Sequence, residues 1–463
     1  MIRGEPMSSR DALNFYFEST HTSALLVHAF VLDAANVPGA VRTQADANAY
    51  AESVMHLDPI FTKRLHRVPL DLDFPYWISD SDVDLAHHVF VHTQAPGDTT
   101  AVRSTIVDIS RTFFDFTARP AWELHFLVDL HGIDGIPDGG SLFVIKFHHS
   151  AIDGVGASDL VSRMLAVEPA QPSPPRPQVP VPGALAALRG LPRGFGTLAK
   201  TFVTAARMKR SARGSTGSLA LSADTHRKGP ATRFNVDLEP DMVWDVAWFD
   251  LDRVREVKTA IDGGTVNDVM LTAISLAYSS YLAEHWETPA ASLRMSMPMN
   301  TRTMKDATTA NQLAILVMSM HTDIADPVAR LQAIHDSALL EKKYIADATL
   351  GKNRQPPNPL NSLPSVLLPP IGKTLRGPSK KATEAFVNTM ISNVTYGRGP
   401  LQLNGAPVVG CLGVLPTVRG VHLAHSVRSV GSSISISVAS NRAVMPDIEH
   451  YMDLLQAAMS SLS

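Results

Sequence analysis

A chain of 463 residues with 45% hydrophobic content is long enough for two or three cores, and its formal net charge of -3 gives no reason to expect a nucleic-acid partner. One cysteine, Cys411, excludes an intramolecular disulfide, and its setting Val408-Val409-Gly410-Cys411-Leu412 predicts an inert core thiol in a reducing compartment. The opening Met1-Ile2-Arg3-Gly4-Glu5-Pro6 lacks the apolar core of a signal peptide, and no stretch reaches the roughly 18 apolar residues of a membrane span, so any membrane contact is expected to be peripheral.

The first region, about 9–165, alternates strand and helix signals. Residues 25–32, 89–92 and 124–130 read as strands, and 43–55 and 101–110 read as helices. The alternating run Asp84-Leu85-Ala86-His87-His88-Val89-Phe90-Val91-His92 predicts ordinary strand through its histidine pair, and Trp122 is expected as a core aromatic. Ser141-Leu142-Phe143-Val144-Ile145-Lys146 is apolar and branched enough for a buried strand, which ends on a second pair, His148-His149. Gly154 and Gly156 break it, and residues 157–165 restart as a helix with Ser158 placed to cap it. A histidine at a strand end entering a turn presents one nitrogen to a cleft while the turn holds the other, as a general base requires. Asp153 supplies a carboxylate to fix the loop, and Gly154 tolerates an unusual backbone. The pattern offers a base and no nucleophile. The adjacent histidines have no third ligand at recognisable spacing, so no metal is expected.

From Glu168 the composition changes. Pro169-Ala170-Gln171-Pro172-Ser173-Pro174-Pro175-Arg176-Pro177 is a stiff linker, which divides the chain into 1–168, a crossover at 169–229, and 230–463. In the crossover, Leu185, Leu188, Leu191, Phe195, Leu198 and Phe202 recur at helical spacing, with Pro192 and nearby glycines expected to interrupt any single helix. No acid occurs from Pro169 to Ala223, whereas Arg189, Arg193, Lys200, Arg207, Lys209, Arg210 and Arg213 line the stretch. It suits either an anionic membrane surface or a packed crossover with solvated charges; 207–213 and the Ser/Gly-rich residues after it read as disordered.

In the second region, 251–261 reads as a short amphipathic helix ended by Gly263-Gly264. Thr265-Val266-Asn267-Asp268 then fits a capping box opening a long helix, giving Asp268 a structural role and placing Asn267 in the first turn. Arg294 to Arg302 reads as a strand leading into a turn. The proline-rich 354–379 is too irregular for a long helix and either lines a lipid entrance or covers a core. The alternating Ser432-Ser433-Ile434-Ser435-Ile436-Ser437-Val438 predicts a half-buried strand, and Pro446-Asp447-Ile448 begins a terminal helix.

His148-His149-Ser150-Ala151-Ile152-Asp153-Gly154 matches the HHxxxDG signature of the CoA-dependent acyltransferases, and the chain most resembles the bacterial wax ester synthase/diacylglycerol acyltransferase family. Ser9-Arg10-Asp11-Ala12-Leu13-Asn14-Phe15-Tyr16-Phe17-Glu18-Ser19 is similar to that family's opening segment. Arg119-Pro120-Ala121-Trp122-Glu123 resembles its Pro-Leu-Trp motif, Thr265-Val266-Asn267-Asp268-Val269 its Asn-Asp motif, and Ser392-Asn393-Val394 its Ser-Asn-Val motif. Ala121 departs from Leu. Thr395-Tyr396-Gly397-Arg398-Gly399-Pro400 replaces the usual Pro-Gly-Pro, and both departures bear on the choice of acceptor.

The resemblance implies an α/β protein of two chloramphenicol-acetyltransferase-like domains with mixed sheets, meeting at a central cleft or tunnel. It implies a long-chain acyl-CoA co-substrate, no cofactor, and diacylglycerol or a long-chain alcohol as acceptor. His149 would be the base, Asp153 would orient the loop, His148 would pack or tune, and Asn267 or backbone amides would meet the oxyanion. Ser392 and Asn393 would shape the cleft with Pro120 and Trp122, and Arg302 would pair with Asp153. The expected location is the cytoplasm, with peripheral attachment to the inner membrane face or lipid droplets as a further expectation. Two alternatives stand beside this: a relative that acylates another hydroxyl or an amine from a carrier-protein thioester, and a lipid-surface binding protein without catalysis.

Overall fold

The computed structural model describes residues 2–213, 228–300, 313–349, 362–375, 384–397 and 399–462. The first half runs β1 (Arg3–Pro6), α1 (Ser9–Phe17), β2 (Leu25–Leu32), α2 (Gln44–Val54), β3 (Lys63–His66), β4 (Tyr76–Ser79), β5 (Val89–Thr93), α3 (Thr99–Arg111), β6 (Trp122–Leu130), β7 (Gly140–His148) and α4 (Gly154–Met164). A crossover follows, with β8 (Val179–Pro180), α5 (Ala184–Arg213) and β9 (Gly229–Pro230). The second half comprises β10 (Met242–Asp250), α6 (Leu251–Val257), α7 (Val266–Glu284), β11 (Arg294–Asn300), β12 (Leu313–Ser319), α8 (Pro327–Thr349), α9 (Leu368–Leu375), β13 (Glu384–Ala385), β14 (Thr389–Thr395), β15 (Gln402–Leu403), β16 (Ala406–Val414), β17 (Leu423–Val430), β18 (Ser433–Asn441) and α10 (Ile448–Ser461).

Two six-stranded mixed sheets dominate, ordered β15-β16-β2-β7-β6-β5 and β10-β18-β17-β14-β11-β12. The halves interleave: β16, from the second half, adds antiparallel to β2, with Leu412 opposite Ala29. Both faces of β7 are buried, which is why its sequence is a continuous apolar run. On one face Phe30, Phe126, Phe143 and Phe147 pack against Tyr50 of α2 and Leu160 of α4. On the other, Val27, Ala29 and Val144 meet Ile106 of α3 together with Trp244 and Ala439 of the second half, so this layer joins the halves. The second sheet rests on α6, α7, α8 and α10. Each fully buried aromatic or aliphatic side chain in these layers contributes about 1.5–3 kcal/mol.

Several expectations need correction. The helix after the motif begins at Gly154 and is capped by Asp153, whose Oδ1 accepts from the Gly156 amide at 2.6 Å; Ser158 instead donates to the Gly154 carbonyl at 2.8 Å. The Asp153 carboxylate is the stronger cap and lies one turn earlier. The 87–88 pair is not strand: Leu85–His87 form a 3-10 turn and β5 starts only at Val89. The buried His88 ring stacks on Trp122 at 4.3 Å and its Nδ1 meets the Trp122 carbonyl at 2.8 Å, which holds the pair out of the ladder.

The crossover helix is continuous for 30 residues despite Pro192, because the loss of one backbone donor does not end a helix with several turns on either side. β18 is buried on both faces rather than half-buried. Ser435 and Ser437 face β16: Ser435 donates to the Cys411 carbonyl at 2.7 Å and the Ser437 hydroxyl accepts from the Gly413 amide at 3.4 Å, so their alternation marks a polar contact between strands and not a watered face. Residues 354–361 and 376–379 lie outside the described residues, as do Arg302, Arg398 and 214–223; in the described part of the proline-rich stretch, 362–375, a 3-10 turn at Ser365–Leu367 leads into α9. Among the described residues, no helix is long and apolar enough to cross a membrane.

Candidate active site

β7 delivers the motif. His148 is its last residue, paired opposite Leu25 of β2, and the next amide, that of His149, donates to the Ala24 carbonyl at 2.8 Å. The chain then turns, and Asp153 caps α4, so the motif aspartate holds the loop through a backbone bond. The His149 ring faces its own backbone. The amide nitrogen of Asn14, on α1, stands 3.4 Å from its Nδ1, a long contact. Burial foremost, with the His148 ring adding, holds the His149 pKa below the ordinary 6.5 against the opposing pull of Asp153 and Asp11.

His148 is placed differently. Its ring is fully buried against Phe116, and its Nδ1 receives both the Ser150 amide at 3.1 Å and the Ser150 hydroxyl at 2.6 Å. An amide N–H only donates, so here Nδ1 is the acceptor and the proton sits on Nε2. That nitrogen faces Glu18 Oε1 at 3.2 Å, close enough for attraction but out of line for a well-formed hydrogen bond. Glu18 Oε1 also accepts the Ala24 amide at 3.1 Å, tying α1 to the start of β2. The Arg119-Pro120-Ala121-Trp122 segment supports the same point, since the Ala121 carbonyl accepts the His148 amide at 3.2 Å. Pro120 is buried, and Trp122 is a core residue whose indole donates to the Phe61 carbonyl at 3.0 Å.

In the second half two of the expected residues meet. The Asn393 amide on β14 donates to the Asn267 carbonyl oxygen in the first turn of α7 at 2.8 Å. No hydrogen bond among the described residues joins that pair to His149. Asp268 completes the capping box, its Oδ2 accepting from the Thr265 amide at 3.0 Å and from His335 Nδ1 at 2.8 Å. Ser392 receives a long contact, 3.4 Å, from Arg428 Nη1 on β17. The buried Arg428 has no carboxylate partner among the described residues and lies beside Tyr396, Cys411 and His28. Burial pushes the Cys411 thiol up to about 12, which makes it inert near neutral pH.

Asn14, Glu18, Ser150, His335, His28, Tyr396 and Arg428 were not singled out as site residues from sequence. Asn14 and Glu18 carried a signal, being four apart in the opening segment and hence on one face where α1 ends. The rest are joined only by contacts between distant elements. A cavity of about 180 Å³ lies beside the motif loop, lined by Asp11, Ser150, Asp153, Arg163 and Arg176. A second, of about 270 Å³, lies between the halves, with Ser23, Arg111, His422 and Asn441 in its wall.

The two mixed sheets bridged by an exchanged strand, with a histidine turn at the end of a central strand, define the two-lobed acyltransferase fold. A wax ester synthase/diacylglycerol acyltransferase from Marinobacter aquaeolei VT8 superposes with a TM-score of 0.66 over 99% of this chain and 98% of its own, at 22% identity. A trichothecene 15-O-acetyltransferase from Fusarium sporotrichioides does so at 0.61, covering 99% and 95%, at 12% identity. The chain belongs to the wax ester synthase/diacylglycerol acyltransferase family: the catalytic-domain pattern matches residues 7–270 and the C-terminal-domain pattern residues 309–463. A Mycobacterium tuberculosis H37Rv protein, provisionally named a diacylglycerol O-acyltransferase, is 28% identical over 418 residues, 87% of each chain. A Mycobacterium bovis protein of the same provisional name is 28% identical over 477 residues, 97% of this chain and 89% of its own.

Proposed function

We propose that the protein transfers a long-chain acyl group from acyl-CoA to the hydroxyl of diacylglycerol or a long-chain alcohol, with His149 as general base. The observation that carries this reading is the place and state of the His149 ring: it follows the last residue of β7 at the motif turn, and burial lowers its pKa, so it is neutral near pH 7 and able to take a proton. Nε2 takes the proton of the acceptor hydroxyl as its oxygen bonds to the thioester carbon. The tetrahedral oxyanion then collapses, the carbon–sulfur bond breaks, and the departing thiolate takes the proton back from the imidazolium. No covalent enzyme intermediate and no metal enters this balance. Asn267, whose carbonyl oxygen accepts from Asn393, would present its amide hydrogens to the oxyanion. Asp153 and His148 act by holding the loop.

The substrates are lipids, and α5 is the element we assign to a lipid surface. Leu185, Leu188, Phe195, Phe202 and Val203 are exposed along it, in a stretch free of acids from Pro169 to Ala223. The reading is tested by supplying palmitoyl-CoA with dioleoylglycerol or hexadecanol in separate reactions and identifying the lipid formed. Triacylglycerol or wax ester, made only when its acceptor is present, is the expected result. Release of free palmitate irrespective of acceptor would contradict it.

A further inference from the structure

Tyr396 stands in the segment that replaces the Pro-Gly-Pro expected after Ser392-Asn393-Val394. Its ring packs edge-on against Phe30 with centroids 4.8 Å apart, and its hydroxyl meets His28 Nδ1. Both partners lie on β2, the strand paired with the end of β7 and immediately following Ala24, whose carbonyl receives the His149 amide. Three residues before Tyr396, Asn393 holds Asn267. One unbroken path of bonds therefore runs from the His149 turn through β2 and Tyr396 to the first turn of α7.

Both partners of the contact are uncharged. Burial, with Arg428 adding, lowers the His28 pKa to about 3, so the ring is neutral and its Nδ1 is able to accept. Burial raises the Tyr396 phenol, which therefore keeps its proton and is able to donate. Arg428 approaches the same place because Gly413 leaves room: a Cβ there would lie 2.6 Å from Arg428 Nε and 2.7 Å from Ser426 Oγ. Elsewhere the halves are joined by the β16–β2 ladder, by Arg103 paired with Asp245 at 2.6 Å, and by apolar packing.

We propose that Tyr396 is a positioning residue for acyl transfer: its hydroxyl on His28 sets the strand carrying Asn393, and through it Asn267, against the strand that holds the His149 turn. This rests on the roles given above to His149 and Asn267. An oxyanion donor acts only when held close to its transition-state position, and a displacement of about 1 Å costs up to about 100-fold in rate.

The test is Tyr396→Phe, which keeps the ring on Phe30 and removes only the hydroxyl. The expected result is a kcat lower by about tenfold with both KM values within about twofold, measured on protein whose melting profile shows it folded. Because Tyr396 acts through Asn267, the double variant with Asn267→Ala should lose no more than Asn267→Ala alone. At the other end, His28→Gln, which still accepts, should retain activity that His28→Leu loses, and this pair decides the matter if the tyrosine variant fails to fold. Unchanged kcat in Tyr396→Phe, a KM effect alone, additive losses in the double variant, or equal loss in the two His28 variants would each overturn the proposal. Failure of the underlying reading would appear separately, as acceptor-independent turnover in wild type or full activity in His149→Ala.

Discussion

At the scale of single residues, two adjacent histidines are held differently because their surroundings differ. The His148 Nδ1 accepts the Ser150 amide and is thereby occupied, whereas the His149 ring meets a long contact from Asn14 and is kept neutral by burial. The pH dependence follows. A base whose pKa lies below 6.5 is unprotonated at neutral pH, so kcat/KM should be flat from pH 7 upward and fall only below an apparent pKa under 6.5. A pH–rate profile checks this, and a midpoint above 7 would contradict it. For the neighbour, His148→Gln should lower the melting temperature and reduce kcat without abolishing it, because its partners Ser150 and Glu18 hold the turn; a variant as inactive as His149→Ala would make His148 more than a support. The motif turn could be read from sequence because its parts are contiguous. Asn14 and Glu18 reach it from α1, and that approach depends on tertiary packing.

At the scale of elements, caps set where helices begin. Thr265→Ala removes one arm of the α7 capping box and should cost about 1 kcal/mol of stability by chemical denaturation, since Asp268 then loses its reciprocal partner. A loss below a few tenths would show that the Asp268–His335 pair alone holds this helix start. The Thr265 box was readable because capping chemistry is local. Ser158 misled for the same reason: it is a good cap by type, but Asp153 had already begun the helix. α5 shows the opposite failure, since Pro192 reads as a break while the turns around it carry the helix on. Its exposed leucines and phenylalanines should confer binding to vesicles containing phosphatidylglycerol. Replacing Leu185, Leu188, Phe195 and Phe202 with serine should abolish sedimentation with those vesicles; undiminished binding would place the lipid contact elsewhere.

At the scale of the whole molecule, the alternation of strand and helix was enough to anticipate two mixed α/β halves, whereas their interleaving was not. β16 reads as an ordinary apolar strand, and nothing local says that its partner is β2, more than 370 residues earlier. The same long-range burial makes the fold acid-sensitive. His28 and His425 are lowered to about 3 and His125 to about 4, chiefly by burial, and His88, His92 and His422 are lowered too. These rings stay neutral in the folded chain while the unfolded chain binds protons below 6.5, so the stability they allow is present above that pH and is lost progressively towards pH 3–4. Melting temperature measured across that range should fall accordingly. The central claim, that this molecule moves an acyl group by way of one basic imidazole, is tested most directly by thiol release from palmitoyl-CoA with and without hexadecanol, in wild type and His149→Ala. Acceptor-dependent release that vanishes in the variant is predicted; release that persists in His149→Ala at the wild-type rate would contradict it.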